Sequence, residues 1–159
     1  MSTRRLMSSA VVVAIALVAG GIASADMSRG VIGAFKGQLV ISKAELSEGK
    51  NDKDTIAKIR SEKLTELTGE AKDDVTYWDF HYTAFLTKTG ATKLKMEFYR
   101  DGKQYSADKS LDGIDPKSAV LSGSISINED EGLAKGKSYV IKLTTEKNVV
   151  VSQTTLVMK

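Results

Sequence analysis

The chain has 159 residues, of which 27% are charged and 42% hydrophobic, and it contains no cysteine. The lack of cysteine excludes disulfide bonds, thiol chemistry and lipid attachment through a thiol, so buried apolar surface must hold the fold together. Only two of the 23 basic side chains lie in residues 1–25, which leaves 21 basic against 20 acidic side chains in the rest, a net charge of +1. A domain so close to neutral lacks the basic surface that binds nucleic acid or anionic lipid.

The first 25 residues are typical of a secretory signal peptide. Two arginines precede an apolar run at residues 10–19, and Ala23 and Ala25 supply the small residues that a signal peptidase reads. The apolar run is too short to cross a hydrocarbon layer of ~30 Å. We therefore predict cleavage before Asp26, export to the periplasm or the exterior of a bacterial cell, and no membrane insertion after the signal is removed.

The remaining chain is predicted to form one domain. Residues 26–36 are expected to be a short, only partly ordered N-terminal segment, followed by a domain at residues 37–159. Residues 37–46 are rich in aliphatic side chains and predict the first strand. The polar composition of residues 47–54 predicts a loop.

One helix is predicted at residues 55–68, where apolar side chains recur with a period of 3.6 residues. Asp54 is expected to cap its start and Gly69 to lie just beyond its end. An irregular, strand-like crossover is the alternative for this segment. The apolar positions of the predicted helix are Ile56, Ile59, Leu64 and Leu67.

Residues 75–100 hold seven of the ten aromatic side chains and alternate between apolar and polar positions. Such alternation predicts two strands with one buried face each, joined by a turn at residues 87–92 that contains Gly90. In an immunoglobulin-like fold the two strands would lie in opposite sheets, whereas in a simple meander they would pair. The predicted core side chains are Trp78, Phe80, Tyr82, Met96 and Phe98.

Four further strands are predicted at residues 103–111, 119–128, 137–145 and 149–158. In the first of them, Tyr105, Ala107 and Leu111 lie on one parity. In the last, the apolar side chains of the two halves have different parities, and a bulge near Ser152 and Gln153 would bring both sets to the same face. Seven strands separated by turn signals predict an all-β, antiparallel, immunoglobulin-like β-sandwich with one short helical crossover.

Residues 133–143, LAKGKSYVIKL, resemble the corner before the sixth strand of fibronectin type III modules. In that family a leucine, a glycine and a tyrosine recur at intervals of three residues, and here they are Leu133, Gly136 and Tyr139. The resemblance implies that the tyrosine hydroxyl ties the corner to upstream backbone and that the leucine plugs the end of the sandwich. Lys135 stands where the family usually has proline. The resemblance implies an immunoglobulin-like sandwich and no particular activity.

The candidate binding residues are Tyr77, Asp79, His81 and Tyr99, which have the outward parity of the two aromatic strands. Exposed aromatic side chains bordered by charge are typical of a binding face. The alternative is that the predicted helix covers this face, because its apolar stripe must be buried somewhere.

No catalytic residue, cofactor or metal site is predicted. His81 is the only histidine, and Asp79 lies two residues away on the same strand, roughly 7 Å distant and beyond a direct hydrogen bond. One histidine without cysteine does not make a zinc site. The acidic residues 128–132, with Asp112 and Asp115, are open to calcium binding or to being a solvated connection.

The sequence therefore favours a non-catalytic binding or structural module of the bacterial cell envelope, whose partner is another envelope protein. One alternative is a fimbria-like or filament subunit that pairs through a free edge strand, for which residues 149–151 are suitable. A second alternative is a small periplasmic enzyme or enzyme inhibitor that acts through its loops. The oligomeric state stays open.

Overall fold

The computed structural model of the protein describes residues 27–87 and 90–159. The predicted signal peptide, residues 1–25, lies outside the described residues. In the described ranges no helix is both long enough and apolar enough to cross a membrane. The elements are α1 (Arg29–Phe35), β1 (Leu39–Ser42), α2 (Asp52–Glu62), β2 (Glu66–Leu67), β3 (Glu70–Lys72), β4 (Val75–Phe85), β5 (Leu94–Arg100), β6 (Gln104–Leu111), β7 (Val120–Asn128), a 3-10 turn (Glu129–Glu131), β8 (Lys137–Thr145) and β9 (Val150–Met158).

The strands form two sheets. In the first, β4 is central, β7 pairs along one side of it, and β1 and β3 pair with different parts of its other side. The second sheet has the order β2-β9-β8-β5-β6. Among the described strands, every pair is antiparallel except β2 with β9, and a single parallel bridge joins Gln38 to Gln153. The predicted all-β sandwich is confirmed; β2 and β3 add to the seven predicted strands and are too short to show a period-two pattern.

The core lies between the two sheets. β4 and β5 belong to opposite sheets, as expected for a sandwich and not for a simple meander. A fully buried Phe or Met side chain stabilises the fold by about 1.5–3 kcal/mol. The faces of β4 and β5 that carry the large apolar side chains therefore pack against each other. All five predicted core side chains are buried, namely Trp78, Phe80, Tyr82, Met96 and Phe98.

The N-terminal segment is more ordered than predicted, because it contains helix α1. The Ser28 side chain accepts a hydrogen bond of 3.3 Å from the Val31 N–H and so caps the start of the helix. Val31 and Phe35 are buried on one side of α1. The helical repeat of apolar side chains is hard to recognise in the sequence, because the helix has only seven residues and two of them are Gly30 and Gly33.

The predicted second helix is present as α2, but it spans Asp52–Glu62 and not residues 55–68. Asn51 is its N-cap in place of the predicted Asp54, because the Asn51 side chain accepts a hydrogen bond of 3.0 Å from the Asp54 N–H. The chain leaves the helix early because the Leu64 N–H donates to the carbonyl of Ile41 in β1 over 2.8 Å.

The two helices cover one end of the outer face of the β4 sheet. The ring of Phe35 in α1 packs on Phe85 at the end of β4, with 5.1 Å between ring centroids. This cover resembles the one predicted, but it buries Phe85 and leaves Asp79, in the middle of the same strand, exposed. The buried side chains of this second cluster are Val31, Phe35, Val40, Ile59, Phe85 and Val120.

One side of the sandwich is closed by Gly37. Its N–H donates to the Phe85 carbonyl over 2.7 Å, and its own carbonyl accepts from the Gln153 N–H over 3.1 Å, so one residue links β4 with β9. The φ of Gly37 is +78°, a left-handed conformation that glycine adopts most readily.

Residues 149–151, expected to offer a free edge, adjoin this closed side. The Thr87 N–H donates to the Val151 carbonyl over 3.1 Å, and β2 pairs with the far end of the same strand. The edge of β9 is therefore occupied at Val151 and at its C-terminal end. The alternative of a subunit that pairs through residues 149–151 stays a prediction.

The predicted bulge in β9 lies at Val151, one residue before its expected position. Leu143 pairs with Ser152 and Thr144 pairs with Val150, which leaves Val151 as the extra residue. Both Val151 and Ser152 are buried as a result.

The corner before β8 has the contact that the fibronectin resemblance implies. The Ala134 N–H donates a hydrogen bond of 2.8 Å to the Tyr139 hydroxyl oxygen. Tyr139 and Leu133 are both buried in the core between the sheets, and Gly136 between them has a φ of +76°. The tyrosine thus fixes the backbone that leads into β8.

Candidate functional site

The structure does not bring the four predicted binding residues together. Tyr77, Asp79 and His81 lie on the outer face of the β4 sheet, whereas Tyr99 lies on the outer face of the β5 sheet. The outward parity was predicted correctly for all four. Parity distinguishes the inner from the outer face of a strand, but it does not tell which sheet the strand joins.

On the β4 sheet, the predicted residues form a sparse surface around Lys72 from β3. The Lys72 ammonium lies 3.7 Å from an Asp79 carboxylate oxygen and 5.5 Å from the centroid of the Tyr77 ring. Both members of the ion pair are 55% exposed, and an exposed pair stabilises by less than about 1 kcal/mol. His81, opposite Ser124 of β7, is half-buried.

Tyr99 belongs to a denser arrangement on the β5 sheet. Its hydroxyl donates a hydrogen bond of 3.0 Å to the carboxylate of Glu97, a residue that is only 9% exposed. The Lys142 ammonium of β8 lies 4.5 Å from the centroid of the Tyr99 ring, a cation–π distance. Tyr99 is therefore held at its hydroxyl by one strand and at its ring by the next.

Tyr105 of β6 completes this surface, although the sequence predicted it to point inward. A register shift between Phe98 and Tyr99 pairs Phe98 with Ala107 and Tyr99 with Tyr105, so that Ser106 is an extra residue. This bulge reverses the parity of Tyr105, which is 51% exposed. The predicted inward position of Tyr105 is therefore wrong.

The two tyrosine rings pack edge to face, with 5.8 Å between centroids and 74° between planes. This geometry is favoured for aromatic pairs. We call the surface around them the tyrosine face and define it as Lys95, Glu97, Tyr99, Tyr105, Asp108 and Lys142.

Neighbouring carboxylates raise the pKa of both tyrosines of this face. The hydrogen bond to Glu97 raises the pKa of Tyr99. Hydrogen bonding to Asp108 is the largest of the causes that raise the pKa of Tyr105 to about 12. At neutral pH both hydroxyls therefore carry their proton, and each can donate or accept a hydrogen bond.

A groove of about 400 Å³ continues from the tyrosine face towards the turn between β8 and β9. Two ion pairs border it, Lys95 with Asp108 at 3.5 Å and Lys93 with Asp112 at 3.6 Å. Lys93, Lys95 and Asp112 of the groove are thus in ion pairs, and Glu146 also lines it. Residues that line the groove include Lys95, Glu97, Ser110, Thr144 and Asn148.

The acidic residues after β7 are engaged by the protein itself. Glu129 accepts a hydrogen bond of 3.0 Å from the Thr76 N–H, which lowers the pKa of Glu129. Glu131 forms an ion pair with Lys109 of β6. Among residues 27–87 and 90–159, no three His, Asp or Glu side chains are grouped so that they could hold a metal ion.

No protein-family model matches this chain, and no curated protein matches it either. Inferences about function therefore rest on the surfaces described above.

Of the six members of the tyrosine face, only Tyr99 was among the predicted binding residues. Glu97 and Lys142 have the outward parity that marked Tyr99, but they come close only because β5 and β8 are paired. A signal for Tyr105 did exist, because it follows the turn at Asp101 and Gly102 closely, where hairpins often carry a bulge.

Proposed function

We propose that the protein is a non-catalytic, exported binding module of the bacterial cell envelope, and that the tyrosine face is its contact surface for another envelope protein. The observation that carries the proposal is the arrangement of Tyr105. This large aromatic side chain is 51% exposed, yet its ring is fixed against Tyr99, which Glu97 and Lys142 hold in turn.

Such an arrangement suits binding because little conformational entropy is lost when a partner covers it. Tyrosine combines a large apolar ring with a polar tip, and it is enriched among the side chains that dominate binding energies. Ordering a mobile side chain on binding costs about 0.5–1.5 kcal/mol, and packing Tyr105 against Tyr99 beforehand reduces that cost. Lys95 and Asp108 border the pair with opposite charges, as the polar rim of an interface does.

The non-catalytic character is supported by the contacts that engage Lys93, Lys95 and Glu97 at the groove. A general base or nucleophile has a free, activated group aimed at a substrate position. Here Lys93 and Lys95 each face a carboxylate, and Glu97 accepts from Tyr99. These groups serve to shape the face.

The immunoglobulin-like character of the sandwich is supported by the tie between Tyr139 and Ala134, the feature that the fibronectin corner resemblance implies. Sandwiches of this type have many functions, so the resemblance supports the fold and names neither an activity nor a partner. Export is supported by the signal-like composition of residues 1–25.

The proposal is tested by affinity capture from envelope extract with Tyr105→Ala as the altered protein. Because Tyr105 is exposed and near the end of its hairpin, its removal leaves the core intact. We expect the amount of each specifically captured protein to fall about tenfold or more, as for a central interface tyrosine.

The matched control is Tyr77→Ala, which removes a partly exposed tyrosine from the opposite sheet. Its capture pattern should equal that of the unaltered protein. Equal capture by the Tyr105 variant, or a loss confined to the Tyr77 variant, would show that the tyrosine face is not the contact surface.

A further inference from the structure

On the side of the sandwich opposite Gly37, the two edge strands are β6 and β7. β6 is the last strand of its sheet, and β7 pairs only with β4 among the described strands. In an antiparallel pair, alternate residues of an edge strand direct their N–H and C=O groups away from the sheet. Such an edge can hydrogen-bond another strand unless it is protected.

The β6 edge is protected in two ways. Lys109 pairs with the core residue Met96 in the strand register, so it points inward from an edge strand, and its ammonium meets Glu131 from the 3-10 turn. The bulge at Ser106 bends the same edge. Inward-pointing charges and bulges are the devices by which natural sheets prevent edge-to-edge pairing.

The β7 edge has neither device. Its nine residues, VLSGSISIN, include no charged residue and no proline, and their register with β4 runs without a shift from Phe85–Val120 to Tyr77–Asn128. Other edge strands of this sheet are short, with four residues in β1 and three in β3. β7 is therefore the one long and unprotected edge in the part of the molecule that is described.

We propose that β7 pairs antiparallel with β7 of a second copy of this chain, so that two β4 sheets join into one continuous sheet across a twofold axis. A twofold contact brings the same surface of both copies together, and an antiparallel strand pair has this symmetry. The inference goes beyond the proposed binding function, because the tyrosine face belongs to the other sheet and stays free.

The side chains of β7 are compatible with a second copy as the partner strand. Ser124 and Ser126 are exposed on its outer face, so in an antiparallel pair small neutral side chains meet and no like charges oppose each other. Ile125 points to the inner face but is only partly buried against the core. Two such isoleucines at the junction would bury each other's remaining apolar surface.

The charges at the two ends of β7 also favour self-pairing. Lys117 lies exposed just before the strand, and Asp130 lies exposed just after it. In an antiparallel pair the start of one strand lies beside the end of the other, so the Lys117 of each copy approaches the Asp130 of the other copy. These two opposite-charge contacts are related by the twofold axis, and a foreign strand would have to supply them separately.

The test is sedimentation velocity of the purified protein over a wide concentration range. One strand pair buries less surface than a standard interface, so we expect a dimer that dissociates on dilution. The variant S124K/S126K places two lysines on each copy beside the junction and should weaken association about tenfold or more. The variant S124E/S126E should do the same. Mixing the two variants should restore the dimer, because lysines then oppose glutamates.

The matched control is Gln104→Lys with Ser110→Lys, which adds two lysines at exposed positions of the protected β6 edge. It should associate like the unaltered protein, and unchanged circular dichroism should show that all variants fold. A protein that stays monomeric at every concentration would overturn the proposal. So would a dimer that the β7 variants do not weaken, or one that the mixture fails to restore. Protection of β7 amides from hydrogen exchange only when a different protein is added would assign the edge to a foreign strand instead.

Discussion

The hydroxyl of Tyr99 donates a hydrogen bond of 3.0 Å to the buried carboxylate of Glu97, two residues away on the same strand. A buried carboxylate is costly unless it is hydrogen-bonded, so this contact stabilises Glu97 and orients Tyr99 together. The orientation matters because the exposed Tyr105 ring packs on the edge of the Tyr99 ring. The shape of the tyrosine face therefore depends on the largely buried side chain of Glu97.

The ionisation of Tyr105 provides a first prediction. Hydrogen bonding to Asp108 raises its pKa from 10.0 to about 12, so the folded state favours the neutral phenol. The corresponding stability is complete below pH 10 and is lost as the pH rises through about 12. In Asp108→Asn we expect one tyrosine to ionise closer to pH 10, as measured by ultraviolet absorbance of the phenolate. Identical titration curves would contradict the assigned cause.

Removal of the corner hydroxyl provides a second prediction. In Tyr139→Phe the Ala134 N–H loses its acceptor while the ring still fills its buried site. We expect the free energy of unfolding in denaturant to fall by about 1–2 kcal/mol. Tyr77→Phe, which removes a hydroxyl from the outer face of β4, should change it by less than about 0.5 kcal/mol. A Tyr139 variant as stable as its parent would mean that the corner does not depend on this bond.

The bulge in β9 leads to a third prediction. The Ser152 hydroxyl is buried and has no hydrogen-bond partner among the described residues. Replacing an unpaired buried hydroxyl by hydrogen removes its desolvation penalty, so Ser152→Ala should raise the free energy of unfolding by about 1 kcal/mol. Ser122→Ala is the control. The Ser122 hydroxyl lies 3.2 Å from that of Thr83, within hydrogen-bond distance, so its removal should lower the free energy of unfolding. An equal fall in the free energy of unfolding in both variants would show that the Ser152 hydroxyl has a hydrogen-bond partner.

The turn between β3 and β4 gives a fourth prediction. Asp73 and Asp74 have φ angles of +50° and +64°, a left-handed conformation that costs energy for residues with a side chain. Asp74→Gly should therefore stabilise the protein by about 0.5–1 kcal/mol in thermal unfolding. The reverse change, Gly102→Asp at a φ of +72°, should destabilise it by a similar amount. Destabilisation by Asp74→Gly would show that the Asp74 side chain has a stabilising role of its own.

The strand pattern was predictable from sequence because period-two alternation marks burial directly. Trp78 and Phe98 were placed in the core on that basis, and both are buried. The helix α2 was predicted too, but its end was not, since the backbone contact between Leu64 and Ile41 that draws the chain away involves residues far apart in sequence. Local propensity carries no information about such a contact.

The candidate site was predictable only in part for the same reason. Outward parity identified Tyr99, but its neighbours Lys142 and Tyr105 reach it through strand pairing, and a bulge inverted the parity of Tyr105. Tyr77 and Tyr99 looked equivalent in sequence and lie on opposite sheets. The sheet to which a strand belongs is decided by long-range pairing, which one sequence does not reveal.

The tyrosine face, and not the outer face of β4, is the proposed contact surface for an envelope partner. The most direct measurement is photo-crosslinking in living cells that produce the protein, with a photoreactive amino acid in place of either Tyr105 or Tyr77. We predict that the protein altered at Tyr105 forms a discrete, larger adduct on irradiation and that the protein altered at Tyr77 does not. An adduct formed from Tyr77 with none from Tyr105 would assign the contact to the outer face of β4 instead.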